Sequence, residues 1–389
     1  MRNSLRAFLA FTFILAIGCS GTLQVVGLQV AQSIRSNGVI RYLPRVGIHY
    51  ISRFGTFEES DDILRRDFAR FHHDGLSVIV LLVDWYRIEN KFERGDYDGN
   101  YTEIPRLGGP YGRLVLDGVK RFIGIADEYN LSTVVGVSTL WGKDSTWAIP
   151  NYAVDPVTGI VQGLAIVRSS DVRQGFINMF TYFVQQLVAT PNILGWHILG
   201  EPWYFPRKLP PPYDDIDQKE NFITLFEDLT EIVKRLDGRA TTVAFVNVHI
   251  WKDDTGRLRL FNLFEDDFGW DPRIFNTLDF ITFSTTMPYD FPEIIEEWKS
   301  ITWENIRGCR ERDKKIWFMG VGYSGQSSDD DEAQATAMRT IAGFVETLPL
   351  ELWNVWCWFP DPYYIGRGGN LLKTMEGEPR PAYYELSVF

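Results

Sequence analysis

Eight short apolar runs recur along this chain, separated by stretches whose apolar residues fall at helical spacing. That alternation restricts the fold more than any other feature. The run at 46–50 leads into 61–71, where Ile63, Leu64, Phe68 and Phe71 mark one helix face. The next run, 77–83, is apolar from Val78 onward and rich in β-branched residues, as a strand covered on both faces requires. A helix over 116–129 and a strand over 132–137 follow, then a helix over 172–187 with Phe176, Phe180, Phe183 and Leu187 on one side. The fourth strand ends at Glu201 and precedes a helix over 222–236; later strands fall at 242–248, 278–283, 316–319 and 355–359. This order predicts an α/β fold, a single (β/α)8 TIM barrel, and 389 residues lie within the range of one such barrel. No internal repeat interrupts the pattern, and Pro210-Pro211-Pro212 is a local stiff turn.

A barrel gathers its active groups at the C-terminal ends of its strands, where the loops converge. Those positions here are His49 and Tyr50, Asp84 and Trp85, Ser138 and Trp141, Glu201 and Trp203, then Asn247, His249 and Trp251. The last three strands add Tyr289 and Asp290, Gly320 and Tyr323, and finally Trp358 and Asp361. Aromatic rings stack on the C–H faces of a sugar, while acids and amides bond its hydroxyls, so this rim suits an oligo- or polysaccharide. The thirteen Trp and seventeen Tyr exceed what a core alone requires. The alternative for any single ring is that it caps the core.

The sharpest local signal is Ile193-Leu194-Gly195-Trp196-His197-Ile198-Leu199-Gly200-Glu201-Pro202-Trp203, an apolar strand that stops on a carboxylate backed by proline. The segment Lys315-Ile316-Trp317-Phe318-Met319-Gly320-Val321-Gly322-Tyr323-Ser324-Gly325 has the same form, with glycine where a second carboxylate is expected. These motifs, with Pro288-Tyr289, Trp356-Cys357-Trp358 and the closing Pro379-Arg380-Pro381-Ala382-Tyr383-Tyr384, resemble the retaining (β/α)8 glycoside hydrolases that include family 5, the cellulase and β-mannanase group. The resemblance spans 45–389. It implies that Glu201 is the catalytic acid/base and that Gly320 holds the nucleophile position without a side chain. His49, Tyr50, Asp84, Trp85, Trp141, Trp203, His249, Trp251, Tyr289, Tyr323 and Trp358 are the expected substrate-binding residues.

Two departures bear on the chemistry. Gly200 stands where the group carries Asn, and the second strand lacks the group's Arg. Retention needs two carboxyl groups about 5 Å apart, one of them attacking carbon, and glycine has nothing to attack with. Three explanations stay open: a non-hydrolytic relative that still binds sugar, an engineered nucleophile variant, or another rim carboxylate (Asp84, Asp290 or Asp361) serving an inverting reaction. With no carboxylate at 320 to push its proton affinity up, Glu201 is expected to be ionised at neutral pH.

The remaining signals bound the partners. A net charge of −12 repels nucleic acid. Three cysteines and five scattered His give no metal-ligand spacing, so neither a metal nor another cofactor is expected. The acids at 329–332 read as a helix start. At the N-terminus, Arg2 and Arg6 precede an uncharged run to Ile34, which predicts a signal peptide or membrane anchor over 1–32, with a polar linker over 33–44 and the barrel over 45–389. Ala16-Ile17-Gly18-Cys19 loosely resembles a lipobox as a third reading. Each places the rest outside the cytoplasm, secreted or tethered to a membrane. Two function classes follow: an exported glycoside hydrolase acting on β-linked glucan or mannan, and a carbohydrate-binding or structural barrel without turnover.

Overall fold

The computed structural model describes residues 33–36, 39–42, 45–50, 59–88, 110–138, 166, 170–200, 217–246, 249–252, 258–261, 272–287, 292–323, 331–358, 372 and 377–386. The chain divides into two compact units, Met1–Tyr42 and Leu43–Phe389. In the first, β1 (Ser33–Ser36) and β2 (Val39–Tyr42) pair antiparallel, with Ser33 opposite Tyr42 and Ser36 opposite Val39. A hairpin therefore replaces much of the expected linker, because Ile34, Val39, Ile40 and Tyr42 supply strand-forming residues on both sides of a two-residue connection. The expected signal or anchor segment lies outside the described residues. Among the described residues no helix is long and apolar enough to cross a membrane.

The second unit is a closed eight-stranded barrel, all of its pairings parallel. Its strands are β3 (Arg45–Tyr50), β4 (Val78–Asp84), β5 (Ser132–Ser138), β6 (Ile193–Gly200), β7 (Ala240–Val246), β10 (Phe280–Met287), β11 (Lys315–Tyr323) and β12 (Leu352–Trp358). Between them run α1 (Asp61–His73), α2 (Trp85–Ile88), α3 (Pro110–Glu128), α4 (Ser170–Leu187), α5 (Asp217–Leu236), α6 (Pro272–Thr277), α7 (Ile295–Arg310) and α8 (Asp331–Val345); α9 (Pro381–Tyr384) closes the order. The predicted (β/α)8 barrel is the observed fold, and every strand read from the sequence is present. The remaining pair, β8 (His249–Lys252) and β9 (Leu258–Phe261), forms a separate antiparallel hairpin.

Strand alternation explains how the apolar runs are used. On β4, Ile79, Leu81 and Val83 join Trp85 in the large core between strands and helices, while Val78 and Val80 belong to a second cluster inside the barrel. That inner cluster also takes Val134, Trp317 and Leu352, with Leu82, Leu194 and Phe280 packed against it. The Phe280 and Trp317 rings lie 4.0 Å apart. Trp317 fits because Gly195 faces it from across the barrel: a Cβ there would stand 3.3 Å from the indole and 2.9 Å from the Ala240 carbonyl.

On the outer side, α1 shows the helical counterpart. Leu64, Phe68 and Phe71 are fully buried at spacings of four and three residues, each such burial contributing about 1.5–3 kcal/mol. Ser60 caps its start by accepting from the Ile63 amide. Asp61 and Asp62 fill the first turn, and Arg70, His72 and His73 the last, as the helix dipole favours. The C-terminal segment is tied down beside it: the Tyr383 hydroxyl donates to Asp74 at 2.8 Å, and Arg380 pairs with Asp331 at 2.7 Å. Asp331 and Glu332 open α8, so the expected helix start at the acidic run is where that helix begins.

Candidate active site

The C-terminal ends of the eight barrel strands define the mouth, and strand parity decides which residues belong to it. Tyr50, Trp85 and Trp358 were expected on the substrate side. All three are instead core residues, 2%, 0% and 1% exposed, on the helix side of the sheet. The Tyr50 ring packs edge-on against Phe68 at 5.8 Å and Phe122 at 5.3 Å. Trp85 packs on Phe176, and Trp358 on Phe71, each at 5.0 Å. Side chains so enclosed cannot stack on a sugar, so these three assignments are corrected. The cause is the two-residue period: Ile48 and Val83 are outward, hence Tyr50 and Trp85 are too.

The same period assigns their chain neighbours to the interior register set. His49 and Asp84 alternate with outward residues, and Asp84 pairs with Ser138 of β5 in the ladder that carries Val80 and Val134. On β12 a register shift separates Val355, opposite Ile48, from Trp358, opposite Tyr50. Three steps on β12 thus match two on β3, so Trp356 and Cys357 share the irregular stretch between those two pairs. The pair of Trp residues flanking Cys357 was visible in the sequence, but the bulge that selects between them was not.

Gly320 occupies a position of its own. Met319 pairs with Asn354 and Val321 with Val355, while on the other side Phe283 pairs with Phe318 and Thr285 with Val321. Gly320 is therefore the extra residue of a bulge in both ladders of β11, a place where glycine relieves the local backbone crowding. Tyr323 pairs with Met287, a buried residue of the outer set. His249 and Trp251, expected just beyond a barrel strand, lie within β8, whose partner is β9. Glu201 directly follows Gly200, the last residue of β6. Glu201, Trp141, Trp203 and Tyr289 fall outside the described residues.

Below the mouth sits a polar residue to which the sequence reading gave no role. His197 is 2% exposed, opposite Gly136 in the β5–β6 ladder. A Cβ on Gly136 would lie 2.5 Å from the His197 carbonyl oxygen and 2.6 Å from its Cβ, so only glycine admits this approach. Burial pulls the imidazole down to about 4, with the Leu199 backbone opposing in part, so it is neutral at physiological pH. The signal available in sequence was a histidine inside an apolar strand four residues before Glu201.

Behind the mouth, Asp67 on α1 is fully buried and links two strand ends. Its Oδ2 accepts from the Tyr50 hydroxyl at 3.1 Å and from the Trp358 indole N–H at 2.9 Å, while Oδ1 accepts from Arg66 at 3.3 Å. Burial first, and then the Asp67 charge, raise the Tyr50 phenol well above its ordinary range. Among the described residues no group of His, Cys, Asp and Glu is arranged to hold a metal.

No family model and no curated protein matches the sequence. Solved structures do match the fold. A GH5_18 protein from Bifidobacterium longum subsp. longum ATCC 55813 superposes with a TM-score of 0.62 at 13% identity, covering 88% of this chain and 78% of that one. A GH5_18 variant from Streptomyces cattleya, in complex with Manβ1-4GlcNAc, gives 0.60 at 16% identity over 88% and 79%. The exo-beta-1,4-mannosidase Op5Man5 from Opitutaceae bacterium strain TAV5 gives 0.59 at 14% over 93% and 62%. The fold is theirs. Two of these neighbours carry the name GH5_18 and the third is an exo-beta-1,4-mannosidase, and this chain shares their barrel fold.

Proposed function

We propose that this protein is an exported, glycoside hydrolase-like barrel that binds and acts on β-linked glycans of the mannan or glucan type at the C-terminal mouth of its strands. One observation carries the reading. Among the described strands β6 alone runs directly into a Glu-Pro pair, and it belongs to a barrel of the kind found in proteins that handle Manβ1-4GlcNAc and β-1,4-mannosides. Glu201 is the proton donor to the departing oxygen. In this reading His49 and Asp84, at the ends of β3 and β4, line the site, and Trp356 takes the stacking role first given to Trp358. Trp141, Trp203 and Tyr289 are the further saccharide-binding residues of this reading.

Gly320 favours a second reading, a barrel that holds glycan without cleaving it, since position 320 offers no nucleophile. Residues 1–32 carry the chain out of the cytoplasm in both readings, as a cleaved signal or a retained anchor. The test is a panel of β-mannan, β-glucan, Manβ1-4GlcNAc and aryl β-glycosides, assayed for binding and cleavage with the natural chain and with Glu201→Gln. Cleavage lost in Glu201→Gln while binding persists supports the hydrolytic reading. Binding with no cleavage in either supports the second. No interaction with any of them overturns both.

A further inference from the structure

We infer that Asp67, buried in the helix layer, is a positioning residue for the glycan site: one of its carboxylate oxygens sets the register in which β12 and β3 end at the mouth. The inference rests on the glycan-binding reading proposed above. Tyr50 is the last residue of β3 and Trp358 the last of β12, and the two are partners in the ladder. Both side chains belong to the core between strands and helices, and both donate to Oδ2 of Asp67, the phenol at 3.1 Å and the indole N–H at 2.9 Å. A single oxygen thus ties the ends of two neighbouring strands together on the face where a barrel collects its active groups.

What the tie holds in place is a bulge. From Val355, opposite Ile48, to Trp358, opposite Tyr50, β12 advances three residues while β3 advances two. The extra residue falls within Trp356-Cys357, at the end of the strand. Bulges of this kind re-aim the chain next to a site, and a slip of one residue would erase this one by setting Cys357 opposite Tyr50. The Trp358 ring packs on Phe71 and on Tyr383, each at 5.0 Å between centroids, which fills space without fixing a register. The shared carboxylate does fix it, because only the observed pairing brings the indole N–H and the phenol to the same oxygen.

A buried acid is a poor choice for stability alone. Well-packed apolar groups of similar volume often stabilise as much or more, whereas a hydrogen-bonded charge specifies one arrangement over its neighbours. Asp67 is fully buried on α1, on the face that also buries Leu64, Phe68 and Phe71, and the Arg66 guanidinium stands 3.3 Å from its Oδ1. The layer that is otherwise apolar therefore carries one oriented group, aimed at the seam between the first and last barrel strands.

The experiment measures calorimetric affinity of the full chain for β-1,4-mannohexaose and cellohexaose, at a temperature where circular dichroism shows every variant folded. Asp67→Ala should weaken binding of the preferred saccharide by about 10-fold or more, since a shift of about 1 Å transmitted from a distance can cost up to about 10²-fold. Asp67→Asn keeps a carbonyl oxygen for both donors and should restore affinity to within about threefold of the natural chain. Trp358→Phe, which keeps an aromatic ring and loses the indole N–H, should weaken binding in the same direction and stands in for Asp67→Ala if that chain does not fold. Tyr383→Phe removes the bond to Asp74 without touching Asp67, so it should lower the melting temperature and leave affinity unchanged. Affinity held within about twofold by the folded Asp67→Ala chain, or by Trp358→Phe in its place, overturns the inference and leaves the glycan-binding reading intact. An equal loss of affinity in Tyr383→Phe also overturns it, by showing general loosening instead of a set register. Absence of binding by the natural chain overturns both.

Discussion

Asp67 is a buried polar side chain whose loss the structure predicts to be severe. Asp67→Ala removes the acceptor of two buried donors, the Tyr50 hydroxyl and the Trp358 indole N–H, and leaves both without a carboxylate to meet. Each buried donor stranded this way costs about 1–3 kcal/mol, so the pair should cost about 2–6 kcal/mol. Both bonds end on the same oxygen, Oδ2, so Asp67→Asn can keep both through its one carbonyl oxygen and should lose much less. Unfolding entropy of about 2.1 cal/mol/K per residue over the barrel unit, Leu43–Phe389, gives roughly 0.7 kcal/mol per degree. A loss of about 4 kcal/mol then lowers the melting temperature by about 5–6 °C. Thermal and urea unfolding followed by circular dichroism measures this directly. Tyr50→Phe and Trp358→Phe, alone and combined, apportion the effect as a double-mutant cycle. A melting temperature for Asp67→Ala within a degree of the natural chain would refute the reasoning, as would equal losses for Ala and Asn.

Two further perturbations follow from the barrel interior. Because His197 has a folded value near 4 against about 6.5 when exposed, the unfolded chain takes up its proton first as the pH falls; its share of stability, roughly 3 kcal/mol, is present above about 6.5 and lost down to about 4. Urea titrations at pH 7 and 4.5 should show a smaller pH-dependent loss in His197→Gln than in the natural chain, and an unchanged loss contradicts the burial argument. Gly136→Ala drives a methyl against the His197 backbone and should cost about 1–3 kcal/mol in the same assay, a neutral result meaning that β5 and β6 separate more easily than their ladder implies.

The barrel was legible because its signal is carried by whole segments. Val78 to Val83 can sit nowhere but between two apolar layers, and Leu64, Phe68 and Phe71 fix one face of α1. The site was only partly legible, because it depends on which of two adjacent residues turns inward. His49 or Tyr50, Asp84 or Trp85, and Trp356 or Trp358 are each one or two positions apart, and a count along the chain cannot see the bulges that reset the alternation. One such bulge contains Gly320 and another separates Val355 from Trp358. The aromatic residues misassigned to the rim are those with the most apolar surface to bury, and the helix layer claimed them. The hairpins at 33–42 and 249–261 escaped for a different reason: each pairs only with itself, so no layered core imposes a pattern on its sequence.

The central claim is that a β-linked glycan occupies the C-terminal mouth of this barrel beside Glu201. A crystal structure of the Glu201→Gln variant soaked with a β-1,4-mannooligosaccharide tests it most directly. The account predicts sugar rings across the ends of β3, β4, β6 and β12, with residue 201 within hydrogen-bond distance of a glycosidic oxygen and Trp356 against a ring face. A saccharide held only on the outer helices or at the opposite end of the barrel, or a mouth left empty at saturating ligand, would contradict it.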